Sequence, residues 1–144
     1  MKPKNRSREQ QFLSAVWDTA KQIEKNKHHI RALRDISKST GAGKATERVG
    51  GTVTHGKIER CVSDIVDLER ENMALEKKAD RQFEIILSLI NKIENPDYKK
   101  LLKYRYLYFQ KWDDIAFYMH YSDQYVYELH REALAEVKTL VDLS

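Results

Sequence analysis

The 144-residue sequence predicts an all-α fold: a long antiparallel helical hairpin followed by a small three-helix helix-turn-helix domain. Three observations carry that expectation. Two long stripes of apolar or small residues recur at alternating steps of three and four, and a Gly/Ser/Thr-rich stretch separates them. Near the C-terminus, two further helical patterns are separated by only three residues, His120-Tyr121-Ser122, a gap too short for a linker.

The first helix begins at Ser7, which together with Gln10 forms an S-x-x-Q capping box. Its stripe is Phe12, Val16, Thr19, Ile23, Asn26, Ile30, Leu33 and Ser37, which implies one helix of about thirty residues. The second stripe runs Ile58, Cys61, Ile65, Leu68, Asn72, Leu75, Ala79, Gln82, Ile86, Leu89, Ile93 and marks a longer helix. The connecting stretch at about 38–57 reads as a turn or hairpin tip, so the helices fold back on each other. Placing Asn26 opposite Asn72 also places Ile23 opposite Leu75, Ile30 opposite Leu68, Leu33 opposite Ile65, Thr19 opposite Ala79 and Phe12 opposite Ile86. A slip of one repeat would leave a buried amide against an apolar side chain at a cost of about 1–3 kcal/mol, so the asparagines are expected to fix the register. Leu13, Trp17, Phe83 and Ile90 lie beside the seam and suggest a surface for oligomerisation.

"ENPDY" closes the second helix. Pro96 cannot continue the preceding ladder but suits the first turn of a new helix capped by Asn95, and the domain boundary is placed there: 1–94 for the hairpin, 95–144 for the C-terminal domain. In that domain Leu101, Leu102, Tyr104 and Leu107 are the expected apolar face of a first helix. A second helix runs from about Asp113 to Met119, and Ser122 caps a third. Ile115, Ala116 and Met119 then pack against Val126, Leu129 and Ala133, with Ala116 permitting close approach, as in a helix-turn-helix whose last helix enters the DNA major groove.

Composition narrows the function classes. Charged residues are 33% and hydrophobic ones 41%, and the longest central apolar run, "IILSLI", is far short of the roughly 20 residues of a membrane span. The basic, polar start "MKPKNRSREQ" has no apolar run behind it, and Cys61 is the single cysteine, expected as a buried inert thiol; both favour a cytoplasmic protein. A net charge of +4 permits a polyanionic partner without demanding one. "GAGKAT" falls short of a phosphate loop: Lys38 stands where the leading Gly belongs, Ala45 replaces the Ser or Thr, and helix precedes the loop. His28, His29, His55, His120 and His130 have no metal-ligand spacing, and Asp113-Asp114 suit the first turn of a helix rather than paired acid-base work. No nucleophile is paired with a base, so neither an enzyme nor a cofactor or metal site is expected.

"LLKYRY" followed by "WDDIAFYMHYSDQYVYELHREAL" resembles region four of bacterial sigma factors, with Asp114-Ile115-Ala116, Met119, Ser122, Val126 and Ala133-Leu134 at the core positions. The chain is still more similar to small phage-encoded regulators related to the ArpU-like and RinA-like late transcription proteins. In these a hairpin with a glycine-rich tip precedes "P-x-Y…L-x-x-R-Y…W-x-x-I-A…Y-S…V-Y-x-L-H-x-x-A-L". Pro96, Tyr98, Leu102, Arg105, Tyr106, Trp112, Ile115, Ala116, Tyr121, Ser122, Val126, Tyr127, Leu129, His130, Ala133 and Leu134 fit that pattern. The resemblance implies a DNA-binding regulator of phage or prophage late transcription in a bacterial host. Double-stranded promoter or operator DNA would be the partner, the hairpin serving dimerisation or contact with RNA polymerase.

The expected DNA contacts divide in two. Lys99, Lys100, Lys103, Arg105 and Lys111 would hold phosphates, as would the basic N-terminal arm at Lys2, Lys4, Arg6 and Arg8. Ser122, Asp123, Gln124, Tyr127, Glu128 and Arg131 would face the groove, with Gln124, Tyr127 and Arg131 reaching base edges. The sequence departs from the sigma pattern by placing Asp123, Gln124 and Glu128 where Arg or Lys is favoured. From Asn95 onward seven Lys or Arg face eight Asp or Glu, so phosphate attraction from this domain alone should be weak. The competing expectation is a non-enzymatic interaction module whose acidic, tyrosine-rich last helix binds the transcription machinery or another phage protein without touching DNA.

Overall fold

A computed structural model describes residues 6–41 and 51–143. The described residues are helical with no strands: α1 (Arg8–Leu13), α2 (Ala15–Gly41), α3 (Gly51–Asn91), α4 (Pro96–Leu102), a π-helical segment (Lys103–Leu107), α5 (Trp112–Met119) and α6 (Asp123–Leu143). They divide into two compact units, residues 19–78 and residues 1–18 together with 79–144.

The first unit is the antiparallel pairing of α2 and α3. Asn26 Nδ2 donates to Asn72 Oδ1 at 2.8 Å, and Asn72 Nδ2 donates to the Ile23 carbonyl at 3.3 Å. Both amides are buried, and the expected register is the one observed. Ile23, Ile30 and Cys61 are buried along the same seam, and Arg34 bridges to Glu69 at 2.8 Å. The expected tip at about 38–57 is shorter than the composition suggested, because α2 continues to Gly41 and α3 already begins at Gly51. The remainder of "GAGKAT" after Gly41 lies outside the described residues.

The second unit holds the main core. Leu13, Val16, Ile86, Ile90 and Ile93 share one buried cluster with Leu101, Leu102, Leu107, Ile115, Ala116, Met119, Val126, Leu129, Ala133 and Val137. The compact unit therefore extends past the boundary that Pro96 suggested, because the base of the hairpin supplies apolar surface that the C-terminal helices need to bury. Asn95 caps α4 as expected, its side chain accepting from Asp97 N at 2.9 Å and Tyr98 N at 3.3 Å.

Three local expectations are corrected. The capping box at Ser7 and Gln10 forms, but the helix it opens breaks at Ser14, whose amide is shared between the Gln10 and Phe12 carbonyls. Serine competes poorly in a helix interior, and the break separates α1 from α2. Tyr106 joins Leu101, Leu102 and Leu107 as buried core while Tyr104 only packs against its edge, because a π-helical turn widens the ring and rotates the residues that follow. Leu13 and Ile90 are wholly buried in this core, Phe83 packs against it, and Trp17 meets Phe109 edge-on at 5.2 Å. Leu13 and Ile90 are thus absorbed within the chain and offer no surface for a second copy, whereas Trp17 and Phe83 stay partly exposed.

Candidate nucleic-acid interface

The corner between α5 and α6 is built from backbone chemistry. His120 adopts the left-handed conformation (φ 63°, ψ 40°), its N–H donating to the Phe117 carbonyl at 3.2 Å while Tyr121 N–H donates to the Ala116 carbonyl at 3.0 Å. This paired arrangement is a Schellman ending, which satisfies carbonyls that the end of α5 would otherwise leave bare. Ser122 then starts α6, its Oγ accepting from Tyr125 N at 3.1 Å. The three-residue gap thus ends one helix and caps the next. Ile115, Ala116 and Met119 from α5 and Val126, Leu129 and Ala133 from α6 are all buried at the corner, as their spacing predicted.

With Val126, Leu129, Ala133 and Val137 facing inward, the opposite stripe of α6 carries Gln124, Glu128 and Arg131, all exposed. Asp123 and Tyr127 flank it and are exposed too. The groove-facing residues expected from sequence thus share one accessible face. Arg131 makes no ion pair among the described residues, and the same holds for Lys99, Lys100, Lys103 and Lys111. Lys100 and Lys111 are exposed; Lys99 and Lys103 are half-buried.

Arg105 departs from that group. Its Nη1 donates to the Gln110 carbonyl at 3.0 Å and its guanidinium carbon stands 4.5 Å from the centre of the Trp112 ring. Burial pushes its pKa below the usual arginine value. The fork therefore points into the unit rather than lying beside the lysines.

The support behind α6 was not visible in the sequence. The Tyr106 hydroxyl lies 2.7 Å from His130 Nε2 and the two rings stack at 5.8 Å, while Trp112 meets His130 at 4.6 Å and Tyr127 at 5.3 Å. Burial, and secondarily the positive charge of Arg105, hold the His130 pKa down at about 4, so the ring is neutral at neutral pH and shares one hydrogen bond with the phenol. The Tyr106 phenol is itself raised by burial. On the other flank, Tyr98 Oη donates to Glu132 Oε1 at 3.1 Å and Tyr121 Oη to Asp97 Oδ2 at 2.7 Å, tying α4 to the turn and to α6. The repeated aromatic residues were the available signal, but local spacing does not say which ring meets which.

Aromatic surface remains outside. Phe117 is 76% exposed, and Tyr118, Tyr121, Tyr125 and Tyr127 are each more than a third exposed. Among the described residues no group of three His, Cys, Asp or Glu side chains could hold a metal ion, and no helix is long and apolar enough to cross a membrane. Compared with known protein families, with characterised proteins and with solved structures, the chain matches none.

Proposed function

We propose that the chain is a sequence-specific DNA-binding regulator of phage or prophage late transcription, acting as a dimer in the cytoplasm of a bacterial host. The observation that carries this reading is the α5–α6 corner, with Gln124 and Arg131 on one accessible stripe and Arg131 free of any ion pair among the described residues. Arginine and glutamine are the side chains best suited to bidentate recognition of guanine and adenine. Lys99, Lys100, Lys103 and Lys111 then hold phosphates, which orient the protein without reading sequence. Arg105 acts from behind, bracing Trp112. RNA polymerase is the further partner that such a regulator would meet.

A second reading is favoured by the exposed Tyr125 and Tyr127 beside Asp123 and Glu128 on α6, an acidic, tyrosine-rich surface suited to protein contact without DNA. A gel-shift series with Asp123→Asn and Glu128→Gln separates the two. In the DNA reading, removing negative charge from the groove-facing stripe preserves or strengthens the shift. A protein-only module gives no salt-sensitive shift, and the same exchanges abolish its partner binding.

A further inference from the structure

We infer that the second compact unit holds a binding site for a small organic carboxylate, in a cavity of about 270 Å³ framed by α1, the start of α2, the π-helical segment and the first turn of α5. Arg6, Gln10, Ser14, Trp17, Arg105 and Trp112 line it together with Tyr106.

Two polar groups of this lining keep unused hydrogen-bonding capacity. A guanidinium has five N–H donors, and Arg105 uses one of them, toward the Gln110 carbonyl. No carboxylate lies within ion-pair distance of it among the described residues, although it is half-buried. Ser14 is 6% exposed, and its hydroxyl makes no hydrogen bond to another described residue. Buried polar groups are nearly always paired, so an orphaned hydroxyl and a guanidinium that has donors to spare and no carboxylate partner, on one cavity, point to an absent acceptor.

The remaining polar groups are already engaged. Arg6 grips Asp18 through two contacts, at 3.0 and 3.3 Å, which cancels its charge locally. Gln10 is held by Ser7, and Tyr106 by His130. One positive charge is left over, that of Arg105, which matches a monoanion. A carboxylate accepts from the arginine fork through both oxygens and from a serine hydroxyl. The indoles of Trp17 and Trp112 supply apolar walls for the body of the ligand. Taking a water's share of liquid volume as about 30 Å³, the cavity holds on the order of ten non-hydrogen atoms, the size of a six-membered ring with its acid group.

An occupant of this cavity rests against Trp112, whose other neighbours are Tyr127 and His130 of α6. Ligand binding is thereby placed one ring away from the groove-facing helix. That regulatory consequence rests on the DNA reading; the site itself does not.

The test needs no DNA. Both tryptophans of the chain line this cavity, so intrinsic tryptophan fluorescence reports on it alone. The full-length protein is titrated with cyclohexanecarboxylate, and with cyclohexanol and cyclohexylamine as neutral and cationic analogues of the same shape. The carboxylate should produce a saturable emission change at or below millimolar concentration, with the two analogues at least about tenfold weaker. Arg105→Gln should weaken carboxylate binding by about tenfold or more, and Ser14→Ala, which removes a single oxygen and threatens the fold least, by several-fold. Circular dichroism establishes that each variant is folded. The site is refuted by the lack of a saturable response to the carboxylate, by an equal response to all three compounds, or by unchanged affinity in folded Ser14→Ala and Arg105→Gln proteins.

Discussion

Asn26 and Asn72, forty-six residues apart in sequence, share a hydrogen bond of 2.8 Å inside the helical hairpin. Asn72 passes a further bond to the Ile23 carbonyl, and Gln22 donates to Asn26 at 3.2 Å, so both amides are nearly satisfied. Replacing only Asn26 by Leu strands the Asn72 amide and should cost about 1–3 kcal/mol in urea unfolding. The double exchange of Asn26 and Asn72 to Leu should recover most of that loss while relaxing the register. Strictly additive single and double variants would show that the pair is not coupled.

His120 holds a left-handed backbone conformation that costs an L-residue roughly 1–2 kcal/mol and glycine almost nothing. His120→Gly should therefore raise the unfolding free energy by about 1 kcal/mol, and His120→Val should lower it by at least as much. Thermal melts of the two variants check the pair. A destabilised glycine variant would mean that the imidazole makes a stabilising contact.

His130 links stability to pH. Its folded pKa is about 4 against 6.5 for a free histidine, so between those values the unfolded chain binds more protons than the folded one. The contribution is fully present above pH 6.5 and is lost as the pH falls through 4, amounting to about 3 kcal/mol. Protonation also leaves both ring nitrogens as donors, so that the imidazole can only donate to the Tyr106 hydroxyl. Urea unfolding across this range should show stability falling toward acid in the native protein, and less steeply in His130→Gln. Identical slopes in the two proteins would assign the loss to carboxylates elsewhere.

The two proposed classes of DNA contact should respond differently to mutation. Lys100→Ala with Lys103→Ala should weaken binding to all duplexes alike and reduce the salt dependence, since each lost phosphate contact removes released counterions. Gln124→Ala should instead relax preference at one base pair, by about 1–3 kcal/mol if the contact is bidentate. Binding titrations on matched and mismatched duplexes at several salt concentrations separate the effects. A uniform loss from Gln124→Ala would move that residue into the phosphate class.

What the sequence disclosed follows from the range of the physics involved. The Ser7 cap, the Asn95-Pro96 start of α4 and the Asn26–Asn72 register are written in short spacings or matched stripes, and each is found in place. The α5–α6 core was legible because Ile115, Ala116, Val126 and Leu129 repeat at helical intervals. The π-helical turn was not, because the Tyr106–His130 contact inside it joins residues on different helices, and so the inward turn of Arg105 and the burial of Tyr106 escaped a local reading. The same applies to Leu13 and Ile90, which look like spare hairpin surface until α6 and its neighbours cover them. Phe109, with φ 57° against Trp17, gave no signal at all in the sequence.

Whether the exposed stripe of α6 reads base pairs is decided by selecting duplexes from a random-sequence pool with the intact protein at low salt. One motif should be enriched, and Arg131→Ala, selected in parallel, should lose the preference at a single base pair of that motif while retaining the rest. Failure of the intact protein to retain any duplex at low salt, or retention without enrichment of any sequence, would contradict the DNA reading.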